Sequence, residues 1–140
     1  MITFRLLSAS ALLLASIAVL AGPAGDNAQA HFRAVANGQV DKVVEQYHDQ
    51  VTLEWVGGPL DGVYRGKEAV EQVWSKFTAA QGPLTVKVLD LQENANPKGA
   101  TVTANVAFSG KNTIKVRYVL GYRDNRLVNE VWQIDPAMNI

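Results

Sequence analysis

Residues 100–123, ATVTANVAFSGKNTIKVRYVLGYR, decide the fold. Apolar and polar residues alternate on both sides of the central Ser-Gly-Lys-Asn. Alternation with a period of two is typical of a strand with one buried face, and the central four residues are typical of a hairpin turn. The segment therefore predicts two antiparallel strands, over residues 100–108 and 113–123, with one apolar face made by Val102, Ala104, Val106, Phe108, Ile114, Val116, Tyr118, Leu120 and Tyr122.

Similar alternation extends this hairpin on both sides. Residues 84–91 precede it and residues 127–134 follow it, and the links at 94–99 and 124–126 are rich in turn residues. Short links between strands favour an antiparallel meander. In the last strand the alternation predicts that Val128, Glu130, Trp132 and Ile134 share the inward face.

The first half of the chain predicts helices and a short hairpin. A helix capped by Asp26 or Asn27 is expected to end at Gly38. A second helix is expected over residues 40–47, with a buried face made by Val40, Val43, Val44 and Tyr47. A third helix covers residues 67–80. Between them, residues 51–55 and 63–65 are expected to form strands. Helices followed by an antiparallel sheet indicate an α+β fold with the helices on one face.

The N-terminus resembles a secretory signal. One basic residue, Arg5, is followed by the apolar run 6–20 and by small residues. We expect cleavage after Ala21 or Ala24, leaving one domain over residues 25–140 and a secreted or periplasmic protein. The alternative is a membrane anchor, but the run is shorter than the roughly 20 apolar residues that a spanning helix needs. No stable membrane anchor is therefore expected after signal removal.

Composition excludes several classes of site. The chain has no cysteine, so disulfides, thiolate metal sites and cysteine nucleophiles are excluded. Thirteen basic residues balance thirteen acidic ones without a basic stripe, which argues against nucleic acid as a partner. His31 and His48 are the only histidines, and the sequence supplies no third metal ligand beside them. We expect no metal and no cofactor.

Four segments resemble the nuclear transport factor 2-like superfamily, which includes polyketide-cyclase-like proteins and ketosteroid isomerases. They are HFRAVANGQVD at 31–41, YHDQVTLE at 47–54, YRGKEAV at 64–70 and YRDNRLV at 122–128. The resemblance implies a cone-shaped, curved antiparallel sheet packed on three N-terminal helices, with a pocket between them. It supplies no activity, because this fold hosts many functions.

The isomerase pattern of that superfamily transfers poorly to this chain. Its general base aligns with Trp55 and its acidic donor with Val119 or Leu120, while its donor tyrosine aligns near His31. Because that chemistry needs a carboxylate to move the proton and a neutral acid to hold the enolate, we do not expect isomerase activity of that type.

Large aromatic residues on the expected inward faces are the candidates for ligand binding. As a group they suit a pocket for a small hydrophobic or aromatic molecule, whereas each alone is equally suited to the core. These candidates are Trp55, Tyr64, Trp74, Phe77, Tyr118 and Trp132.

His31, Asp61 and Glu130 are the catalytic candidates. His31 offers an imidazole that can act as acid or base, but it can also be a helix-surface residue. Asp61 lies in a glycine-rich loop at the expected pocket mouth, where it can equally be a turn residue. An inward Glu130 is a plausible proton carrier, and a register shift of one residue would send it to solvent.

Three functions follow. The leading hypothesis is an exported small-molecule-binding domain. The alternatives are a cofactor-independent lyase, cyclase or isomerase, and a homodimeric interaction module that uses the outer sheet face around Thr113, Lys115 and Arg117.

Overall fold

A computed structural model describes residues 22–140. The predicted signal run lies outside the described residues, so its cleavage stays a prediction. The elements follow in the order α1 (Pro23–Ala36), α2 (Val40–Glu45), β1 (Tyr47–Val56), β2 (Gly62–Arg65), α3 (Lys67–Gln81), β3 (Thr85–Asn96), β4 (Gly99–Ser109), β5 (Thr113–Arg123) and β6 (Arg126–Ile134).

One six-stranded sheet has the order β2-β1-β6-β5-β4-β3. The predicted meander from β3 to β6 is confirmed, and β1 and β2 form a further antiparallel pair. β1 also pairs with β6, in parallel, so that Trp55 lies beside Trp132 and Leu53 beside Glu130. This pairing joins the first and last strands of the chain and places their inward side chains together. The α+β fold with helices on one face is thereby confirmed.

Two β-bulges interrupt the meander, and a further register shift lies between Tyr47 and Thr52 in the β1–β6 pair. The β3–β4 register shifts between Leu89 and Gln92, where Asp90 has a φ of 54°. The β5–β6 register shifts between Gly121 and Tyr122, so that Tyr122 pairs with Leu127. An inserted residue bends its strand and increases the local twist.

The second bulge makes one prediction wrong. Val128 was expected to point inward, but Leu127 is buried in its place and Val128 is half-buried. The extra residue shifts the alternation by one before Glu130, which keeps its predicted inward position.

The start of α1 also differs from the prediction. The helix begins at Pro23 and no side chain caps it from the preceding residue, Gly22. Proline suits this position because its φ is fixed and its missing N–H would have no helical partner. The carboxylate of Glu93, on β3, accepts a hydrogen bond from the backbone N–H of Ala24 at 3.0 Å. A distant strand therefore supplies the cap that was expected from Asp26 or Asn27.

The end of α2 was predicted too late. The helix ends at Glu45, and Tyr47 begins β1, where it pairs with Leu127. The backbone N–H of Leu127 also donates to the carbonyl oxygen of Gln46 at 2.8 Å. Pairing with β6 therefore extends β1 toward its N-terminus, as far as Tyr47, whose apolar spacing had predicted a helix. Tyr47 is fully buried, as expected for its apolar face.

The core lies between the concave side of the sheet and the apolar stripes of α1 and α3. Phe32 and Val35 of α1, and Trp74 and Phe77 of α3, are buried there against the inward residues of β4, β5 and β6. Among residues 22–140, no helix combines the length and apolarity needed to cross a membrane.

Candidate functional site

A chain of hydrogen bonds, here named the Glu130 network, lies deep in the cone. The Glu130 carboxylate contacts His31 Nε2 through Oε2 at 2.5 Å and accepts a hydrogen bond from the Tyr47 hydroxyl through Oε1, also at 2.5 Å. The Tyr47 hydroxyl in turn accepts from Trp74 Nε1 at 2.7 Å. All four side chains have zero exposure to solvent. Elements α1, β1, α3 and β6 each contribute one member.

His31 Nε2 and Glu130 Oε2 share a hydrogen bond whose donor depends on the tautomer of the imidazole. His31 Nδ1 is buried without a hydrogen-bond partner in the described structure. In the tautomer that carries its proton on Nε2, Nε2 donates to Glu130 and Nδ1 keeps its lone pair. A carboxylate that holds one imidazole nitrogen and leaves the other free is the arrangement of a general base.

Two buried tyrosines near Glu130 remain protonated in this environment. Burial raises the pKa of Tyr47 well above 10.0, and the negative charge and hydrogen bond of Glu130 raise it further. Burial likewise raises the pKa of Tyr118, with a smaller contribution from Glu130. Both hydroxyls are therefore hydrogen-bond donors across the ordinary pH range.

An aromatic cluster adjoins this network through Trp74, which belongs to both. It consists of Trp55, Trp74, Phe77, Phe108, Tyr118 and Trp132. The ring centroids of Trp55 and Trp132 are 4.6 Å apart with stacked planes, and Trp74 lies 5.2 Å from Trp55 and 5.4 Å from Trp132. The expectation that the three tryptophans meet inside the cone is thus confirmed. Their rings are at most 3% exposed, so they fill the deep part of the expected hollow.

A cavity of about 570 Å³, the mouth groove, opens beyond this cluster. Trp55 and Phe77 form the floor of the groove. It is surrounded by the C-terminal end of α3, the β1–β2 loop and the first residues of β5. Its charged lining residues, Lys76 and Lys115, are both basic. The remaining apolar lining includes Pro59, Leu60, Ala80, Ile114, Ile134 and Pro136.

Several polar atoms of the aromatic cluster are buried without a hydrogen-bond partner in the described structure. They are Nε1 of Trp55, Nε1 of Trp132 and the hydroxyl of Tyr118. Together with His31 Nδ1, these atoms belong to four neighbouring rings. The ring centroid of Trp132 lies 4.6 Å from that of Trp55 and 5.3 Å from that of Tyr118. The ring centroid of Tyr118 lies 6.5 Å from that of His31. Native proteins rarely leave buried polar atoms unpaired, so such a group calls for an explanation.

The structure brings together most, but not all, of the predicted site residues. His31 and Glu130 are in direct contact, and five of the predicted aromatics, Trp55, Trp74, Phe77, Tyr118 and Trp132, form the cluster. Tyr64 instead lies on β2, where its hydroxyl donates to the carbonyl oxygen of Leu60 at 2.6 Å. Whether any of these residues binds a ligand stays a prediction.

Asp61 and His48 are away from this group. The Asp61 carboxylate is exposed and accepts a hydrogen bond from the backbone N–H of Gly57 at 2.7 Å, which is the turn role that was its alternative. His48 is exposed on β1, where its Nδ1 accepts from the backbone N–H of Gln50 at 3.1 Å. Within residues 22–140, no group of three or more acidic or histidine side chains is arranged to hold a metal ion.

Tyr47 was not predicted from the sequence as a member of the site. Its burial was predicted, but as part of a helix, and no local pattern relates it to Glu130, from which it is 83 residues distant. The position of Tyr47 in the segment at 47–54 that resembles the superfamily was the available signal.

The outer sheet face carries the residues suggested for a homodimer. Lys115 donates to the carbonyl oxygen of Met138 at 2.9 Å, and Arg117 donates to the side-chain oxygen of Asn105 at 3.3 Å. These contacts are internal to the chain, and the homodimer stays a prediction.

A three-helix layer on a curved, unclosed sheet with a buried network defines the class of this protein. The model of the SnoaL-like domain family matches residues 28–129, and the chain belongs to that family. The resemblance to the nuclear transport factor 2-like superfamily is thereby confirmed. A comparison with curated proteins gives no match.

Solved structures with the same fold are distant in sequence. An NTF2-like protein of unknown function from Pseudomonas putida has 17% identity and a TM-score of 0.68, covering 81% of this chain and 85% of its own. The protein RV0760c from Mycobacterium tuberculosis has 24% identity and a TM-score of 0.63, covering 84% and 98%. An LEH-like epoxide hydrolase from M. tuberculosis has 16% identity and a TM-score of 0.58, covering 81% and 83%. At these identities the likeness concerns the fold alone.

Proposed function

We propose that this protein is an exported domain that binds a small hydrophobic or aromatic molecule in the mouth groove. The observation that carries this proposal is the groove itself, with a volume of about 570 Å³ and a predominantly apolar lining. Ligand pockets in proteins are typically about 300–1,000 Å³ and are lined mainly by apolar and aromatic side chains. The groove has the size and chemistry for a ligand of one to three rings.

Trp55 and Phe77 are the residues on which such a ligand packs. Both line the groove, and both belong to the aromatic cluster behind it, where their ring centroids are 5.4 Å apart. An aromatic ligand at the groove wall therefore contacts the small exposed part of these two rings, 3% of each residue, and each such contact adds about 0.5–1.5 kcal/mol beyond the buried area.

The test is a titration of the protein with indane, a two-ring hydrocarbon, followed by calorimetry and tryptophan fluorescence. We expect saturable binding that quenches the fluorescence, and we expect Trp55→Ala to weaken the binding about tenfold or more. Val63→Ala is the matched control, because Val63 is an exposed apolar residue of β2 away from the groove lining. Unsaturable partitioning, or equal binding by Trp55→Ala, would refute the proposed function.

Export is the second part of this proposal and is supported by the apolar run at 6–20 followed by small residues. Cleavage after Ala24 would remove the first two residues of α1 and the hydrogen bond from Ala24 to Glu93. Cleavage after Ala21 would leave both intact, so we expect a mature chain that begins at Gly22. Mass spectrometry of the protein from the periplasm or medium of an expressing bacterium measures this, and a full-length mass would contradict it.

A second candidate function is a cofactor-independent lyase, cyclase or isomerase. The observation that favours it is the contact between His31 and Glu130, which leaves His31 Nδ1 free as a base in a buried site. One structural neighbour is described as an epoxide hydrolase, which places an enzyme on this fold without assigning its reaction here.

This candidate is tested without knowing the natural substrate. 1-Indanone has exchangeable protons beside its carbonyl, and an enzyme of this kind would catalyse their exchange with D₂O, followed by NMR. His31→Gln should abolish the catalysed exchange, whereas His48→Gln, a change at an exposed histidine, should leave it intact. An exchange rate equal to that in buffer would remove the enzyme candidate and leave the binding function untouched.

A further inference from the structure

The start of α1 lies against the carboxylate of Glu93, on the edge strand β3. The backbone N–H of Ala24 donates to Glu93 Oε1 at 3.0 Å. A Cβ added to Gly22 would lie 2.7 Å from Glu93 Cδ and 2.9 Å from Oε1, which is closer than side-chain carbons approach such atoms in folded proteins. Gly22 therefore lies beside the carboxylate, and only a residue without a side chain fits there without displacing it.

The half-buried carboxylate of Glu93 has no basic partner in the part of the chain that the structure describes. Among residues 22–140, the single ion pair is the one within the Glu130 network. Glu93 also lines a cavity of about 320 Å³ beside the start of α1, whose other charged lining residues are Lys98 and Asp124. Two carboxylates thus surround this cavity with one ammonium group, so its charge favours the arrival of a further cation.

Cleavage of the leader supplies that cation. Hydrolysis of the peptide bond between Ala21 and Gly22 adds one water, gives Ala21 a carboxyl group and leaves Gly22 with an α-amine, which takes up the proton that the new carboxyl group releases. We propose that the resulting α-ammonium of Gly22 binds the Glu93 carboxylate and holds the start of α1 against β3. This inference rests on cleavage after Ala21, which is part of the proposed function, and adds what the cleavage does to the folded domain.

The backbone of Gly22 is already held in position for this pair. Its carbonyl oxygen accepts a hydrogen bond from the backbone N–H of Asp26 at 3.0 Å, and Pro23 occupies the first position of the helix. The nitrogen of Gly22 is one bond of about 1.5 Å from its Cα, so it lies beside the same carboxylate. Little conformational freedom is therefore lost when the pair forms.

The helix itself disfavours a cation at its first turn. Its aligned peptide dipoles place a partial positive charge at the N-terminus, so an ammonium group there destabilises the helix unless a carboxylate offsets it. Without the Gly22–Glu93 pair, a free α-amine would make the domain less stable than a neutral N-terminus. With the pair, the free α-amine makes it more stable, so the sign of the difference decides between the two cases.

The experiment compares two forms of the domain that begins at Gly22, one with a free α-amine and one acetylated at it. Acylation near pH 6.5 selects the α-amine, because lysine amines, with an ordinary pKa of about 10.4, are more fully protonated there. Thermal unfolding at pH 6 should give a Tm about 2–4 °C higher for the free form. An adjacent carboxylate raises the pKa of an α-amine, so the contribution is fully present below about pH 8 and is lost as the pH rises. At pH 10 the difference should be gone.

The other charged and titratable groups around the pair are the same in both forms. They are Asp26 on α1, Lys98 and Asp124 at the cavity, and Tyr122 on β5. Burial raises the pKa of Tyr122 well above 10.0, with smaller contributions from Glu130 and Glu93, so its hydroxyl keeps its proton. Because acetylation alters none of these groups, their effects cancel in the comparison.

Glu93→Gln assigns the difference to this carboxylate, because it keeps an acceptor for the Ala24 N–H and removes the charge. In this variant the free form should be no more stable than the acetylated form. Asp26→Asn is the matched control, since it removes an exposed carboxylate from the first turn of the same helix and should keep the difference. Should Glu93→Gln not fold, Gly22→Ala provides the same measurement, because its side chain displaces the carboxylate.

The outcomes separate the inference from the function on which it rests. A free form that is equally or less stable at pH 6 overturns the inference, and so does a difference that persists at pH 10 or in Glu93→Gln. An exported chain that begins at a residue other than Gly22 overturns it as well, because the ammonium group would then lie elsewhere. All these results leave ligand binding in the mouth groove intact, since the indane titration tests that binding separately.

Discussion

Two fully buried tyrosines near Glu130, Tyr47 and Tyr118, have opposite surroundings. Tyr47 donates to Glu130 and accepts from Trp74, whereas the hydroxyl of Tyr118 has no partner within the described structure. The first belongs to a closed hydrogen-bond network and the second to the row of unpaired donors that leads to the mouth groove. Buried polar groups that are hydrogen-bonded within the chain are thereby distinguished from buried polar groups that are not, within the described residues.

The largest expected effect of breaking the closed network is at Glu130. Glu130→Ala leaves both His31 and Tyr47 buried without their shared acceptor, so we expect a loss of about 3–5 kcal/mol in the free energy of unfolding. Urea unfolding measures this, with Glu54→Ala, an exposed change on β1, as the control that should have little effect. If Glu130→Ala does not fold, Glu130→Gln gives a smaller loss in the same direction. A neutral result for both would show that the network does not stabilise the fold.

The second largest effect is expected at Tyr47. Tyr47→Phe leaves Glu130 Oε1 and the Trp74 N–H without partners, and the expected cost is about 1–3 kcal/mol. The same urea titration measures it. A cost below about 0.5 kcal/mol would mean that the hydroxyl contributes no net hydrogen bond.

Alkaline pH should act on both tyrosines. Burial raises the pKa of Tyr47 and of Tyr118 above 10.0, so above that pH the unfolded chain loses protons that the folded chain keeps. Stability is therefore fully present below about pH 10 and falls as the pH rises further, by about 1.4 kcal/mol per pH unit for each tyrosine. Unfolding at pH 9 to 11 measures the slope. It should be shallower in Tyr118→Phe, and an identical slope in that variant would contradict the assignment.

The smallest effect is expected at Tyr118 near neutral pH. Tyr118→Phe removes a hydroxyl without a partner and keeps its ring between Phe32 and Trp132, so the stability should change by less than about 1 kcal/mol in either direction. Thermal unfolding beside Tyr47→Phe measures the difference directly. Equal costs for the two variants would end the distinction between closed and open regions.

Much of the fold followed from local pattern. Period-two alternation placed β4 and β5, helical spacing placed α3, and Gly82 and Pro83 marked the end of α3. The predicted end of β3 at residue 91 was too early, because pairing with β4 continues the strand to Asn96. The boundary of α2 did not follow, because it depends on the pairing of β1 with β6, which is distant in the sequence. The bulge near Val128 lies in the β5–β6 hairpin, and alternation alone does not show where a strand carries an inserted residue.

The site was predictable only in part for the same reason. Inward alternation identified Glu130 and Trp132, and the resemblance to a known family drew attention to His31. The contact between His31 and Glu130 spans 99 residues, and no spacing rule connects them. Asp61 was selected for its loop position, which indicates exposure but does not show that a side chain reaches a buried site.

The parallel pairing of β1 with β6 has a consequence for synthesis. While residues 126–134 are still inside the ribosome, β1 lacks its parallel partner β6. Tyr47 and His31 then also lack the carboxylate of Glu130. Contacts of such long sequence separation form late and slow folding, so we expect the core to assemble only after translation of the last strand.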